Sequence, residues 1–478
     1  MLERNDYGHL STIISNWIER YFNTLEERPV KSRVQPGEIY DAISGKIPDS
    51  GEAMETIIHD LEEIIMPGMT HWQHPNFHAY FPANSSVESV LAEQITAAMG
   101  AQCMVWETSP AATELEQRML EWLRDAMGLP KDWQGVLQDT ASSATLVAMI
   151  TAREVVTGHT ANDLGVPQNL RVYCTDQTHS SIVKSAGIAG IGRRNVVEIT
   201  TNDQYGMDAS DLAAKIKRDR QQGLRPCCVV ATLGTTGIMA FDDLKQVGKV
   251  CLEEDVWLHV DAAYTGTALL LPEYRWMSEG MAAADSFVFN PHKWMFTNFD
   301  CTAYYIRDVD VLLRTFEILP EYLRTSTRGL VNDYRDWGIA LGRRFRALKL
   351  WFVMRSYGLT GLQSKLRKHI QLNHYFAEEL SQLDDFEILF GPILNFAAFR
   401  LHPGNHSHSA RSLNTLNQQF LHLLNQSGEA FLSHTVANET YVIRVVFGQT
   451  YLEQSHVDHL LSVLSRYADN LLAGEWGK

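Results

Sequence analysis

Ser286-Phe-Val-Phe-Asn-Pro-His-Lys-Trp294 is a short apolar run that stops at Asn290-Pro291 and then presents a lysine. Proline has no N–H to give to a sheet ladder, so the strand ends there. Lys293 therefore stands at the C-terminal end of a buried strand. In parallel α/β sheets that edge is where ligands bind. An amine flanked by His292 and Trp294 is partly desolvated, which lowers its pKa and makes it nucleophilic. Taken alone, the same lysine also suits an ordinary surface position after a turn, and the neighbouring segments have to decide.

Outward from this run the chain alternates short apolar strands with helices. Strands are expected at Gly135–Gln138, Leu170–Thr175, Asn195–Ile199, Cys227–Thr232, Val256–Val260, Ser286–Phe289 and Thr302–Ile306, and helices at Ser142–Val156, Ala209–Gln221 and Asp242–Glu254. Apolar strands separated by helices indicate a mainly parallel sheet covered on both faces, an α/β fold. Helix is expected to dominate from Gly342 to Leu383. The last hundred or so residues mix strand-like runs (Phe386–Leu389, Tyr441–Val446) with helix (His456–Leu472), as a smaller α/β domain would. Ahead of the sheet, Leu10, Ile13, Ile14, Trp17, Ile18 and Tyr21 recur at helical spacing, as do Met54, Ile57, Ile58, Leu61, Ile64 and Ile65. These apolar faces need cover, from the same chain or a partner. The expected organisation is an N-terminal helical segment over 1–84, a large α/β domain over 85–370 and a small C-terminal α/β domain over 371–478.

Four other expected strand ends carry chemistry to the edge that holds Lys293. The strand through Val256–Val260 delivers Asp261, followed by the small Ala262 and Ala263. Asp139-Thr-Ala-Ser-Ser-Ala144 lies between a strand and an apolar helix, where small residues and a helix N-terminus suit a phosphate. Thr178-His179-Ser-Ser181 follows a third strand, and Thr232-Leu-Gly-Thr-Thr236 ends a fourth. Each has an ordinary structural use: N-cap, surface partner or core histidine. Together, a lysine able to form a Schiff base and a carboxylate able to pair with a protonated pyridine nitrogen are the minimal equipment of a pyridoxal-phosphate (PLP) site.

The composition of the 478 residues fits a folded globular chain, with 45% hydrophobic and 21% charged residues. A formal charge of -16 argues against nonspecific nucleic-acid or anionic-membrane binding, since both need a basic face. No secretory signal and no apolar run long enough to span a bilayer is visible. The six cysteines form no CxxC pair and suit buried thiols in a reducing cytoplasm rather than a zinc or other metal site.

The co-linear set His74-Pro-Asn-Phe-His-Ala-Tyr-Phe-Pro82, Ser109-Pro-Ala-Ala-Thr-Glu-Leu-Glu116, Asp139-Thr-Ala-Ser142, His179-Ser-Ser181, His259-Val-Asp-Ala-Ala263, Asn290-Pro-His-Lys-Trp294, Asn298-Phe-Asp-Cys301 and Leu341-Gly-Arg-Arg-Phe345 resembles the group II PLP-dependent decarboxylases, in the aromatic-L-amino-acid decarboxylase branch. The resemblance covers nearly the whole chain. It implies the type I, aspartate-aminotransferase-like fold and a homodimer, which would give the N-terminal apolar faces a second subunit to pack on. It implies that Lys293 is the Schiff-base lysine, Asp261 the pyridine-nitrogen partner and His179 the residue stacked on the ring. Ala141, Ser142 and Asn290 resemble phosphate ligands, and Thr236, Ala263 and His292 cofactor-pocket residues. Trp72, Tyr80, Phe81 and Pro82 resemble the substrate wall. Tyr322, in the polar stretch 319–329, matches the mobile-loop tyrosine that protonates the substrate.

Departures from the family pattern bear on the substrate. Ala83 stands where relatives often carry a hydroxyl residue, and Met104 takes about the place of a phenylalanine, giving a softer wall. Gly342 leaves room for a bulky ring. The expected reaction is decarboxylation of an aromatic L-amino acid (DOPA, tyrosine, tryptophan, 5-hydroxytryptophan or phenylalanine). Three rivals stay open: an oxygen-consuming aldehyde synthase, whose relatives often have phenylalanine in place of Tyr322; a decarboxylase of an acidic or diamino acid such as glutamate or 2,4-diaminobutyrate, which the Trp72–Pro82 motif disfavours; and a catalytically inert PLP-binding protein, which the intact Lys293, Asp261 and His179 set disfavours.

Overall fold

The structure, a computed structural model, describes residues 6–318, 329–404 and 409–474. The chain forms two compact units, Ala83–Lys368 in one and Met1–Pro82 with His369–Lys478 in the other.

The Ala83–Lys368 unit is built on a seven-stranded sheet of order β1-β7-β6-β5-β4-β2-β3. Its strands are β1 (Gln134–Gln138), β2 (Leu170–Thr175), β3 (Val196–Ile199), β4 (Arg225–Thr232), β5 (Trp257–Asp261), β6 (Ser286–Phe289) and β7 (Thr302–Ile306). From β3 across to β6 every pair is parallel. β7 pairs antiparallel with both β6 and β1, so the sheet is mixed at that edge. β4, β5 and β6 are buried almost end to end, as strands covered on both faces must be.

The Ala141–Thr157 helix packs on one face of this sheet. The Thr140 hydroxyl accepts the Ser143 N–H at its start, and Gly158 closes it in the left-handed region at φ 69°. Its Ala144, Val147 and Ala148 pack with Val136, Val288, Tyr304 and Ile306, while Met149 and Ala152 pack with Leu170, Val172, Ile182 and Val230.

Several boundaries differ from expectation by a few residues, and three of the differences concern helices. The stretch expected as helix from Asp242 begins at Leu244, because Asp243 caps it while Asp242 is buried and accepts the N–H groups of Met207 and Thr232, both at 2.7 Å. Helix expected from Gly342 begins at Arg346 and is interrupted at Gly358, whose φ of 61° and ψ of 170° leave the helical region. The Met54–Ile65 stretch is α-helical only to Asp60 and continues as a π-helix over Leu61–Ile65.

The other unit carries a four-stranded antiparallel sheet of order β10-β11-β9-β8, made of β8 (Phe386–Ile393), β9 (Phe396–Leu401), β10 (Ser433–Ala437) and β11 (Thr440–Val446). Helices Ala410–Ser427 and Gln454–Gly474 bury Leu416, Phe420, Leu424, Leu460 and Val463 against Phe399, Ile443 and Val445. Helix Tyr7–Asn23 buries none of its residues.

Candidate active site

Asp261 is the last residue of β5 and is held from both sides. Its carbonyl accepts the Leu233 N–H at 2.9 Å, and the next N–H, of Ala262, donates to Val288 at 3.0 Å. The side chain is buried. Oδ1 accepts the Ala263 N–H at 3.0 Å, and the second oxygen takes no hydrogen bond from the described residues. A buried carboxylate with an oxygen in reserve suits a cationic N–H donor.

Lys293 follows β6 in the short Pro291–Trp294 helix that Asn290 begins. The Lys293 N–H donates to the Asn290 carbonyl at 2.9 Å, and its own carbonyl accepts Asn84 Nδ2 at 2.6 Å. Burial pushes the Lys293 ammonium below the usual lysine range, and the Asp261 charge opposes that shift. Burial also holds the His179 imidazole down; Asp261 opposes this and Lys293 reinforces it. The three groups thus lie within electrostatic reach of one another, brought together from the ends of β2, β5 and β6.

The start of the Ala141–Thr157 helix faces the same sheet edge. Ala141 is half-buried and Ser142 exposed, and both belong to the first helical turn, whose N–H groups have no intrahelical acceptor. The Thr302 hydroxyl lies 2.7 Å from Asn290 Oδ1 and 3.1 Å from the Asp139 carbonyl, tying this turn to the lysine segment. A helix N-terminus with small residues fits a phosphate, as the reserved Asp261 oxygen fits a protonated pyridine nitrogen.

His292 is buried, and its Nδ1 accepts the Cys301 N–H at 3.0 Å. Burial is the main force taking its pKa to about 3, so the ring is neutral with its proton on Nε2. Ala263 is half-buried beside Asp261, and Thr236 is exposed in the turn after β4. The Met104 carbonyl accepts the Arg335 N–H at 3.0 Å in the same unit. Trp72, Tyr80, Phe81 and Pro82 belong to the other unit, where Trp72 stacks on Tyr80 at 5.8 Å and the Arg444 guanidinium lies 5.4 Å from the Phe81 ring centre. Tyr322 lies outside the described residues.

Several residues around this edge were not singled out from sequence. Asn84 grips the lysine segment through its backbone. His259 lies behind Asp261, bonded to Ser286 and Thr145. Lys349 is buried 3.0 Å from Glu93. The contacts of His259 and Lys349 reach across elements far apart in sequence, so no local pattern announces them. A cavity of about 510 Å³ lies at the opposite end of the strands, beside Arg225, Trp257 and Arg307, and none of the residues above lines it.

All six cysteines are buried and free. Among the described residues no group of His, Cys, Asp and Glu converges as metal ligands would, and no helix is long and apolar enough to cross a membrane.

Residues 36–402 match the pyridoxal-dependent decarboxylase conserved domain. The chain is 41% identical over 458 residues to aromatic-L-amino-acid decarboxylase of Bos taurus, with 92% of each chain covered. It is 39% identical over 477 residues to phenylacetaldehyde synthase of Arabidopsis thaliana, covering 98% of this chain and 96% of that one. In three dimensions it resembles the Oryza sativa TDC with PLP and tryptamine at a TM-score of 0.95 and 33% identity, covering 98% of this chain and 99% of the other. The chain therefore belongs to the pyridoxal-dependent decarboxylase family, in its aromatic-L-amino-acid decarboxylase branch, and its cofactor is pyridoxal 5'-phosphate.

Proposed function

We propose that this enzyme removes the carboxylate of an aromatic L-amino acid as CO2 and releases the corresponding amine. The observation that carries the reading is the convergence of Lys293, Asp261 and His179 at one sheet edge beside a small-residue helix N-terminus. In this reading Lys293 anchors the cofactor covalently, its amine made nucleophilic by burial. Ala141, Ser142 and Asn290 receive the phosphate. Asp261 keeps a proton on the pyridine nitrogen, and His179 packs on the ring, with Thr236, Ala263 and His292 completing the pocket. The bound cofactor supplies an electron sink for the bond to CO2 as it breaks. Tyr322 then gives a proton to the substrate Cα. Trp72, Tyr80, Phe81, Pro82 and Met104 receive the side chain. Relatives that act on aromatic amino acids at about 40% identity support that substrate class.

A second reading has an observation of its own: the likeness to phenylacetaldehyde synthase. An aldehyde synthase would use O2 and water and release aldehyde, CO2, ammonia and hydrogen peroxide. Tyr322, as a proton donor, favours the amine outcome.

The test has two parts. Borohydride reduction of the yellow holoenzyme should fix the cofactor on the peptide containing Lys293. A panel of aromatic, acidic and diamino acids, scored for CO2 and amine, should give equal yields of both with an aromatic substrate. Label on another lysine, or CO2 only from an acidic or diamino substrate, refutes the reading. We further propose a homodimer in which the N-terminal helices pack on the second subunit. Deletion of residues 1–66 should then give aggregate or inactive monomer, and a soluble active monomer would overturn it.

A further inference from the structure

We infer that His259 is a positioning residue that sets the Asp261 carboxylate against the N-terminus of the Ala141–Thr157 helix, and so fixes the distance between the two ends of the cofactor site. The inference rests on the reading above, in which Asp261 serves the ring nitrogen and Ala141 and Ser142 the phosphate.

His259 precedes Asp261 by two residues on β5, so both side chains leave the same face of the sheet. The ring is fully buried and bonded at both nitrogens. Nδ1 lies 2.9 Å from Oγ of Ser286, the residue paired with His259 across the β5–β6 ladder. Nε2 lies 3.3 Å from Oγ1 of Thr145, also buried. Thr145 is four residues after Ala141, one turn into the helix and on the same side of it. The Trp257 indole N–H adds a further bond to Ser286 Oγ at 3.1 Å. One side chain thus joins the strand that carries Asp261, the strand that leads to Asn290 and Lys293, and the helix whose first turn faces the phosphate.

Apolar packing alone fixes the spacing of helix and sheet less sharply, because aliphatic surfaces slide over one another at little cost. A two-ended hydrogen bond does not slide, since moving the helix leaves a buried polar atom without a partner. Neutrality matters as well. Burial takes the His259 pKa to about 4, with Asp261 the opposing influence. The ring therefore brings no second positive charge to compete with a protonated pyridine nitrogen for Asp261.

Apoenzyme should be titrated with pyridoxal phosphate and, separately, with pyridoxal, which lacks the phosphate. The proteins are wild type, His259→Leu, His259→Gln and Thr145→Val, each checked for folding by circular dichroism. His259→Leu should raise the Kd for pyridoxal phosphate by about 10-fold or more, the scale of a lost buried hydrogen bond, and leave that for pyridoxal nearly unchanged. Glutamine has a donor and an acceptor to offer the two hydroxyls, so His259→Gln should stay close to wild type. Thr145→Val should shift the ratio of the two constants in the same direction as leucine, and adding it to His259→Leu should change little more. An unchanged ratio in folded His259→Leu overturns the inference, as does equal loss in the Gln and Leu variants. Should His259→Leu fail to fold, an unchanged ratio in Thr145→Val overturns it. Borohydride labelling separates the two levels. Label on Lys293 with an unchanged ratio refutes only the role of His259, whereas label on another lysine in the wild type refutes the site itself.

Discussion

The backbone N–H of Ser181 donates to Nδ1 of His179 at 3.2 Å, and the Ser181 hydroxyl stands 2.8 Å from the same nitrogen. An amide N–H can only donate, so Nδ1 is an acceptor and the neutral ring carries its proton on Nε2. Burial, the largest influence on this ring, favours the neutral form. Nitrogen-15 spectra of labelled histidine, with His179→Gln to assign the signal, should show this tautomer from pH 6.5 to 8. For the proposed stacking role, His179→Phe should keep most of the activity, while His179→Ala should lower kcat/KM by roughly 10-fold to 100-fold. Equal activity of the alanine and phenylalanine proteins would remove stacking from the account.

Asp261→Asn keeps the shape of the side chain and removes its charge. The amide cannot hold a proton on the ring nitrogen as a carboxylate does. Turnover should fall by about three orders of magnitude or more, the scale of losing a principal electrostatic group, while the protein stays folded and still takes up cofactor. Single-turnover kinetics and cofactor absorbance measure the two separately. Near-normal turnover would take Asp261 out of the chemistry.

Tyr322→Phe tests which product leaves the site. If Tyr322 has the proposed role, removing the phenol takes away only the proton donor, so CO2 release should continue while amine yield drops. Oxygen uptake should appear, with aldehyde, ammonia and hydrogen peroxide in equal amounts. An oxygen electrode and amine chromatography decide it. Amine at the wild-type rate with no oxygen uptake would leave Tyr322 as packing alone.

Lys349 offers a prediction about stability. Its amine lies 3.0 Å from Glu93 Oε2, and burial takes its pKa down to about 8. The unfolded chain holds that proton to a pH of about 10.4. Between these values the unfolded state binds more protons, so this group makes stability rise with pH; below pH 8 both states are protonated and the full cost of burying the charge applies. Denaturant unfolding of wild type and Lys349→Met at pH 7.5, 8.5 and 9.5 should therefore converge differently. Relative to the variant, wild type should gain about 2 kcal/mol between pH 7.5 and 9.5. Parallel pH profiles would show that the amine does not titrate in this window.

The strands Leu170–Thr175, Ser286–Phe289 and Thr302–Ile306 were legible because each is an apolar run with a clear stop, such as Asn290-Pro291. Their directions were less so. A strand buried on both faces shows the same unbroken hydrophobicity in either direction, and nothing in Thr302–Ile306 marks it as the one that reverses. Gly358 did carry a signal for the interruption in the long helix, yet the apolar pattern around it continues. The meeting of Lys293, Asp261 and His179 was legible because each stands at or just past the C-terminal end of a strand at the same edge of the sheet. His259 was not, since its partners Thr145 and Ser286 are 114 and 27 residues away. Lys349 likewise meets Glu93 only through the tertiary fold. Tyr322 enters by resemblance alone and lies outside the described residues.

Asp261 ends a strand with parallel neighbours on both sides, well inside the seven-stranded sheet. Backbone amides in such interior ladders exchange with solvent only in the rarest openings, close to complete unfolding of the unit. The acid proposed to tune the cofactor therefore sits in the part of its unit expected to open last. Local openings elsewhere in the unit can come and go many times while this carboxylate stays in register.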